Sequence, residues 1–316
     1  MGKFRDEDVL NELITTAGNF NEGFKEREYP EVALAKFMTI TSKGDESIDA
    51  LDYGEIDGTQ DLENGLIDEN TTSLETEDVF INAKKGVYLR WAKSAVYTNE
   101  GVARAKMLNI ALDTTKLQNL ERIVLLTAQK TALVGHPKVK IVEGLLTNAA
   151  VVKNDLTAGT ALSAMTGAEA RDFFLKMIDF GYQKNGGLVV PNTIALDAKD
   201  LMTLASKYDN SIGAINGGVN ALTAIKEALS QTMGVNINIV GIPLGFAVGL
   251  GGGKCKNLAA VYTNSEDVVS TDWAIRPQAT APFQRSILSW EVAIQAKFTG
   301  ALIRQLDKIT YTDYKA

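Results

Sequence analysis

Between residues 79 and 97 apolar side chains fall on alternate positions: Val79, Ile81 and Ala83, then Val87, Leu89, Trp91, Ala95 and Tyr97, with Lys93 in the same phase. A period of two predicts a pair of strands, and Gly86 is where the pattern breaks. A short helix is expected near 100–108. Beyond Asp113, a residue suited to capping a helix start, the period changes. Leu117, Leu120, Ile123, Val124, Leu126 and Ala128 follow helical spacing and predict a helix over 114–133. At about 1.5 Å per residue it is a rod of roughly 30 Å. Gly135-His136-Pro137 stops it.

From 160 to 242 strand and helix signals alternate. Thr166-Gly-Ala-Glu169 is a capping-box pattern ahead of a helix over 170–182, whose apolar side carries Phe173, Phe174, Met177, Ile178 and Phe180. Leu188 to Leu196 reads as a strand kinked at Pro191. Asp197 and Asp200 open a helix to about 208, a glycine-rich turn spans Gly213 to Gly218, and a helix over 220–233 precedes a strand over 236–241. The alternation suggests a mixed α/β subdomain. The remainder is strand-rich. Leu258 to Tyr262 is short and apolar. The run 285–303 predicts one long half-buried strand, bulged near Leu288-Ser289, with Ile287, Trp290, Val292, Ile294, Ala296 and Phe298 inward and Glu291, Gln295 and Lys297 outward. Residues 308–314 alternate again and end that sheet. The pattern gives an α+β protein in which 79–135 and 245–316 are halves of one subdomain and 160–242 is inserted between them.

Charge changes the picture at the N-terminal end. Residues 1–80 carry 21 acidic and 6 basic side chains, whereas the remaining 236 carry 18 acidic and 26 basic. A net of −15 therefore precedes a body of +8. Residues 39–80 hold 13 carboxylates against Lys43 alone. A compact subdomain there would repel itself. Leu10, Leu13 and Ile14, then Val32, Leu34, Phe37 and Ile40, are too few for a private core. Two readings stand: a solvated acidic segment, or an arm that finds its cationic partner on another copy. In the second, Leu51, Ile56, Leu62, Leu66, Ile67 and Leu74 supply adhesion.

Composition excludes much chemistry. The chain has 316 residues, 45% hydrophobic and 22% charged, within the globular range. No apolar run is long enough to span a membrane, and the opening residues lack the apolar stretch of a secretory signal. One cysteine, Cys255, and one histidine, His136, exclude an intrachain disulfide and multi-thiolate or two-histidine sites. Gly249-Leu-Gly-Gly-Gly-Lys254 resembles a phosphate loop, but Val248 stands where the first glycine belongs and Cys255 where Ser or Thr belongs. The carboxylates between Asp45 and Asp78 do not follow the calcium-loop spacing. Lys84-Lys85, Lys138 with Lys140, and Lys254 with Lys256 are pairs rather than a nucleic-acid-binding stripe. No catalytic, cofactor-binding or metal-ligating residue is assigned, and no cofactor is expected.

The order of parts resembles the major capsid protein family of tailed bacteriophages, the Hong Kong 97 phage-type fold, with encapsulin shell proteins as more distant relatives. The likeness covers about residues 25–316. It is carried by Tyr53-Gly-Glu-Ile-Asp-Gly58, by Tyr97-Thr-Asn-Glu-Gly101 leading to the helix after Leu112-Asp113, by Gly144-Leu-Leu-Thr-Asn148, and by Pro243 to Thr263 followed by Arg276-Pro277. The resemblance implies an N-terminal arm over 1–44, an extended hairpin loop over 45–82, and a peripheral domain over 83–159 and 243–316 with its spine helix at 114–133. It implies an axial domain over 160–242 around the fivefold and quasi-sixfold axes. Implied partners are copies of the same chain in hexamers and pentamers, a portal protein, separate scaffolding and decoration proteins, and packaged double-stranded DNA touched weakly and without sequence specificity. No membrane partner is implied. The place implied is the capsid of the virion, with assembly in the host cytoplasm. Two departures matter: there is no long helical prosegment at the N-terminus, and no lysine between 44 and 83 to crosslink to a neighbour.

Two other functions compete with a phage head. One is a cargo-holding protein compartment on the same fold. The other is an enzyme within 160–242, whose test is whether Asp197, Asp200 and Lys207 converge on a pocket.

Overall fold

The computed structural model describes residues 32–58, 79–101, 103, 112–154, 160–209, 219–252 and 255–315. The apolar run at Leu10, Leu13 and Ile14, the acidic stretch 59–78, the turn at Gly213 to Gly218 and most of the helix expected at 100–108 lie outside the described residues.

In chain order the helices are α1 (Leu34–Phe37), α2 (Leu112–Val134), α3 (Gly167–Lys184), α4 (Ala198–Ala205) and α5 (Ala221–Met233). The strands begin with β1 (Thr39–Thr41), β2 (Ala50–Gly58), β3 (Val79–Val87), β4 (Leu89–Thr98), β5 (Val152–Asn154), β6 (Thr193–Asp197), β7 (Tyr208–Asp209), β8 (Val219–Asn220) and β9 (Asn238–Ile242). They continue with β10 (Asn257–Tyr262), β11 (Val269–Ala279), β12 (Phe283–Ser286), β13 (Ser289–Phe298), β14 (Leu302–Ile303) and β15 (Ile309–Tyr314). The mixture is α+β. Two compact units divide the chain. The larger comprises Ala33–Arg90, Thr127–Arg276 and Lys297–Ala316, and the described part of the smaller is mainly Trp91–Leu126 and Pro277–Ala296.

The core of the larger unit lies against a five-stranded sheet of order β5-β15-β10-β6-β9. Phe173, Phe174, Met177 and Ile178 of α3 pack with Ile194 and Leu196 of β6, Ile225 of α5, Ala259 and Val261 of β10, and Tyr314 of β15. Each large apolar side chain so buried stabilises the fold by about 1.5–3 kcal/mol. The helices are fixed by local chemistry. Thr166 Oγ1 accepts from Glu169 N–H and Glu169 Oε2 accepts from Thr166 N–H, which closes the expected box at α3. Asp197 caps α4 and Asn220 caps α5, each accepting from the N–H two residues on, and Gly234 ends α5 in the left-handed region. Gly135, at φ 79°, ends α2, its N–H donating to Thr131 O at 2.8 Å. Asp113 lies in the first turn of α2 rather than at its cap, because the helix begins at Leu112.

Four expectations are corrected. Residues 308–314 do not extend the sheet of the long 285–303 run. As β15 they pair antiparallel with β10 and parallel with β5, so the α/β layer of 160–242 is built jointly with 257–262 and 309–314. The 285–303 run is not one bulged strand, because it folds back as a β12–β13 hairpin at Ile287-Leu288. The hydroxyls of Ser286 and Ser289 hydrogen-bond across that turn at 2.6 Å. The strand expected from Leu188 starts only at Thr193. Gly186 and Gly187 at positive φ, with Asn185 Nδ2 donating to Val189 O, carry the preceding residues as a turn. Finally, β3 and β4 break at Tyr88 and not at Gly86. A Cβ on Gly86 would lie 2.5 Å from Leu302 Cδ2, so the glycine serves close packing inside a strand.

Candidate assembly interface

The acidic N-terminal stretch is not one object. Its first described part, 33–49, is stitched onto its own body. Leu34, Phe37 and Met38 are buried, and Tyr262 Oη donates to Phe37 O at 2.6 Å. Strand β1 pairs parallel with β11, matching Thr39 to Ser270 and Thr41 to Asp272. These few apolar residues have no core of their own, so they borrow one.

Asp272 organises this anchor. Its carboxylate, 0% exposed, accepts from Thr41 Oγ1 at 2.6 Å, Lys43 N–H at 2.7 Å, Gly44 N–H at 3.0 Å and Tyr88 Oη at 2.6 Å. Burial pushes its pKa up, but the four donors outweigh burial and hold it below the ordinary carboxylate value. The same burial and the Asp272 charge raise the Tyr88 phenol. Gly44 leaves room for this bond: a Cβ there would sit 2.0 Å from Tyr88 Oη and would force the ring to shift. Lys297, expected outward, is 1% exposed. Its ammonium donates to Glu46 O at 2.7 Å, pairs with Asp49 at 3.3 Å and lies 5.5 Å from the Tyr88 ring centroid. Alternation gave the wrong side because the 46–49 segment covers that face of the strand. Asp49 also accepts from Arg90 at 3.0 Å. Hydrogen bonds from Lys297 and then Arg90 lower the pKa of Asp49.

From this clamp springs a hairpin. Strands β2 and β3 pair antiparallel from Ala50 opposite Val87 to Gly58 opposite Val79, and form a two-stranded sheet of their own. Such a ribbon is marginal alone in water. Its outer half shows apolar groups on both faces: Ile56 and Ile81, directly opposite, are each 73% exposed, and Phe80 is 62% exposed. The smaller unit has a second apolar tip at the β12–β13 turn, where Ile287 is 88% exposed beside the exposed Leu288 and Phe283. Exposed clusters of this kind mark surfaces that another protein covers.

Convergent chemistry does not appear at the positions where it was sought. Asp197 accepts from Lys199 N–H at 3.0 Å, Asp200 Oδ2 accepts from Asn257 Nδ2 and Tyr314 Oη at 2.7 Å each, and Lys207 Nζ donates to Ser163 O at 2.7 Å. Each is engaged in a structural bond. In the glycine loop the N–H groups of Gly249 and Gly251 donate to Lys256 O, and strand β10 follows where a phosphate loop needs a helix. Cys255 is a buried free thiol, and His136 Nδ1 accepts from Lys138 N–H at the turn after α2. Among the described residues no group of three or more His, Cys, Asp or Glu stands together to hold a metal, and no helix is long and apolar enough to cross a membrane. A recess beside the hairpin base holds about 30 Å³, against roughly 300–1,000 Å³ for a ligand cleft.

Sequence reasoning missed Asp272 and Lys297. Their signal was a carboxylate and an ammonium set within apolar strand patterns.

No curated protein matches the chain. Among solved structures, it is similar to the capsid of Myoviridae phage XM1, with a TM-score of 0.72 at 12% identity over 92% of this chain and 94% of that one. It is similar to Mycobacterium phage Adephagia at a TM-score of 0.59 and 11% identity, over 100% and 99% of the two chains. It is also similar to the virus-like particle from Pyrococcus furiosus at a TM-score of 0.51 and 11% identity, over 97% and 100%. The Major capsid protein family matches residues 63–314, most of the chain. The exposed apolar hairpins of the body accord with that match, and the chain belongs to the major capsid protein family.

Proposed function

We propose that this capsid protein assembles through pentamers and hexamers into the icosahedral head that encloses the double-stranded DNA of a tailed phage or prophage. The observation that carries the reading is the family match over 63–314, which runs from within the segment between β2 and β3 to the end of β15. In this reading α2 is the spine of a peripheral domain formed by 83–159 and 243–316. The layer of 160–242 faces the symmetry axes as the axial domain, now with strands β10 and β15 in its sheet. The hairpin within 45–82 reaches over adjacent copies, and the arm is confined to the residues before the Asp272 anchor. Repeating one heterologous contact around closed axes lets many weak contacts hold a shell. A portal protein occupies one vertex, scaffolding and decoration proteins are separate chains, and DNA is contacted without sequence preference.

The test is the content of particles purified from cells that make the phage. Closed shells with genome-length DNA support the proposal. Shells holding a defined protein and no such DNA would instead indicate a cargo compartment.

A further inference from the structure

Residues 42–49 link β1 to β2, and every one of them but Gly44 is exposed. Ile48 is the one large apolar side chain in the stretch and is itself 40% exposed. What holds the stretch is polar. Lys43 N–H and Gly44 N–H donate to the Asp272 carboxylate, Lys297 Nζ donates to Glu46 O and Asp49 Oδ1, and Tyr88 N–H donates to Asp49 O at 3.0 Å. The pairs Lys43–Glu266 and Arg90–Asp49 lie on the surface and add little. Both flanks are fixed more firmly: Phe37, Met38 and Thr41 are buried before it, and Ala50 pairs with Val87 after it. A stretch of this kind opens at lower free energy than a core, because lifting it exposes almost no apolar surface. Lifting also returns to water two charged groups, the Lys297 ammonium and the Asp272 carboxylate, whose burial is costly.

We propose that residues 42–49 are a strap that lifts as a unit while the body stays folded, and that its lifting uncovers Lys297 and unpins the root of the β2–β3 hairpin. Lys297 reports the motion. Its side chain is 1% exposed with the strap down, and its two acceptors leave together when the strap rises. The hairpin root follows, since Tyr88 N–H, at the break between β3 and β4, has Asp49 O as its acceptor. The device belongs to the single chain and does not rest on the shell reading.

The test is hydrogen exchange read residue by residue on the full-length wild-type protein, beside brief acetic anhydride labelling with mass spectrometry to locate the modified lysines. The amides of Lys43, Gly44 and Tyr88 exchange together, on the order of a hundredfold faster than those of Ala260 and Val261 in β10 after correction for intrinsic rates. Low concentrations of urea speed exchange in β10 and leave the three strap amides nearly unchanged, because little surface is exposed when the strap opens. Lys297 is acetylated more slowly than the exposed Lys138, but at a rate that follows the three amides while β10 stays protected. Strap amides that exchange only as fast as β10, with the same urea dependence, would overturn the proposal, since the strap would then open only when the body unfolds. So would fast exchange with Lys297 left unlabelled, or with Tyr88 held at the β10 rate, since the stretch would then fray without lifting as one piece.

Discussion

Tyr88 Oη donates to Asp272 Oδ1 at 2.6 Å and joins two residues 184 positions apart. The bond fixes the residue between β3 and β4 to β11, where the segment leading into the hairpin is also held. Tyr88→Phe keeps the ring and removes the donor, leaving Asp272 three of its four. We expect a loss of roughly 1.5–3 kcal/mol, the usual range for a hydrogen bond to a charged group, read as a lower urea midpoint with an unchanged slope. Asp272→Asn disturbs all four donors and costs more than Tyr88→Phe.

The same carboxylate makes the anchor acid-sensitive. Its folded pKa is depressed, so the stability it contributes is fully present above the unfolded value, about 3.9, and is lost as pH falls through the lower folded value. Asp49 and Glu266 are shifted in the same direction by Lys297 and Lys43 but are exposed and add little. Melting temperature is therefore flat with respect to these groups between pH 5 and 8 and drops below about pH 4. In Asp272→Asn that acid drop is smaller. An equal drop in both proteins would place the acid sensitivity elsewhere.

Gly144 is a position where no side chain fits. A Cβ there would lie 2.4 Å from Gly135 N and 2.5 Å from Leu133 C and O, all backbone. The turn is bound to the end of α2 by Leu145 N–H to Ala132 O and Leu146 N–H to Leu133 O, and Tyr311 Oη donates to Leu145 O at 2.6 Å. Gly144→Ala must shift this backbone and costs about 3 kcal/mol, the upper end for overpacking. Calorimetry of the unassembled protein reads it.

How much of this was legible depended on whether the signal was local. The capping box at Thr166 and Glu169, the cap at Asp197 and the stop at Gly135 involve neighbours in sequence, and the structure places them where the pattern put them. Lys297 and the residues 308–314 were misread because what covers a strand face, or which sheet a strand joins, is decided by distant partners. A two-residue hairpin at Ile287-Leu288 carried no turn signal, since neither residue is Gly, Asn or Asp. For the candidate interface, the charge step at residue 80 was visible, but the Asp272 clamp that separates anchored from projecting chain was not.

The outer hairpin separates folding from assembly. Ile56→Ser with Ile81→Ser removes an exposed cross-strand pair that the body does not cover. Surface changes of this kind usually lie within about 0.5 kcal/mol, so the unassembled protein keeps its melting temperature. Shell formation then needs a higher protein concentration, measured by light scattering. Equal assembly in both proteins would remove the hairpin from the interface.

The most direct test is to measure the mass of the purified wild-type particles by electron microscopy and analytical ultracentrifugation, with and without a co-expressed scaffold. The account predicts closed shells of megadalton mass in at least one of the two conditions. A single monomer peak in both, at every concentration and salt tried, would contradict it.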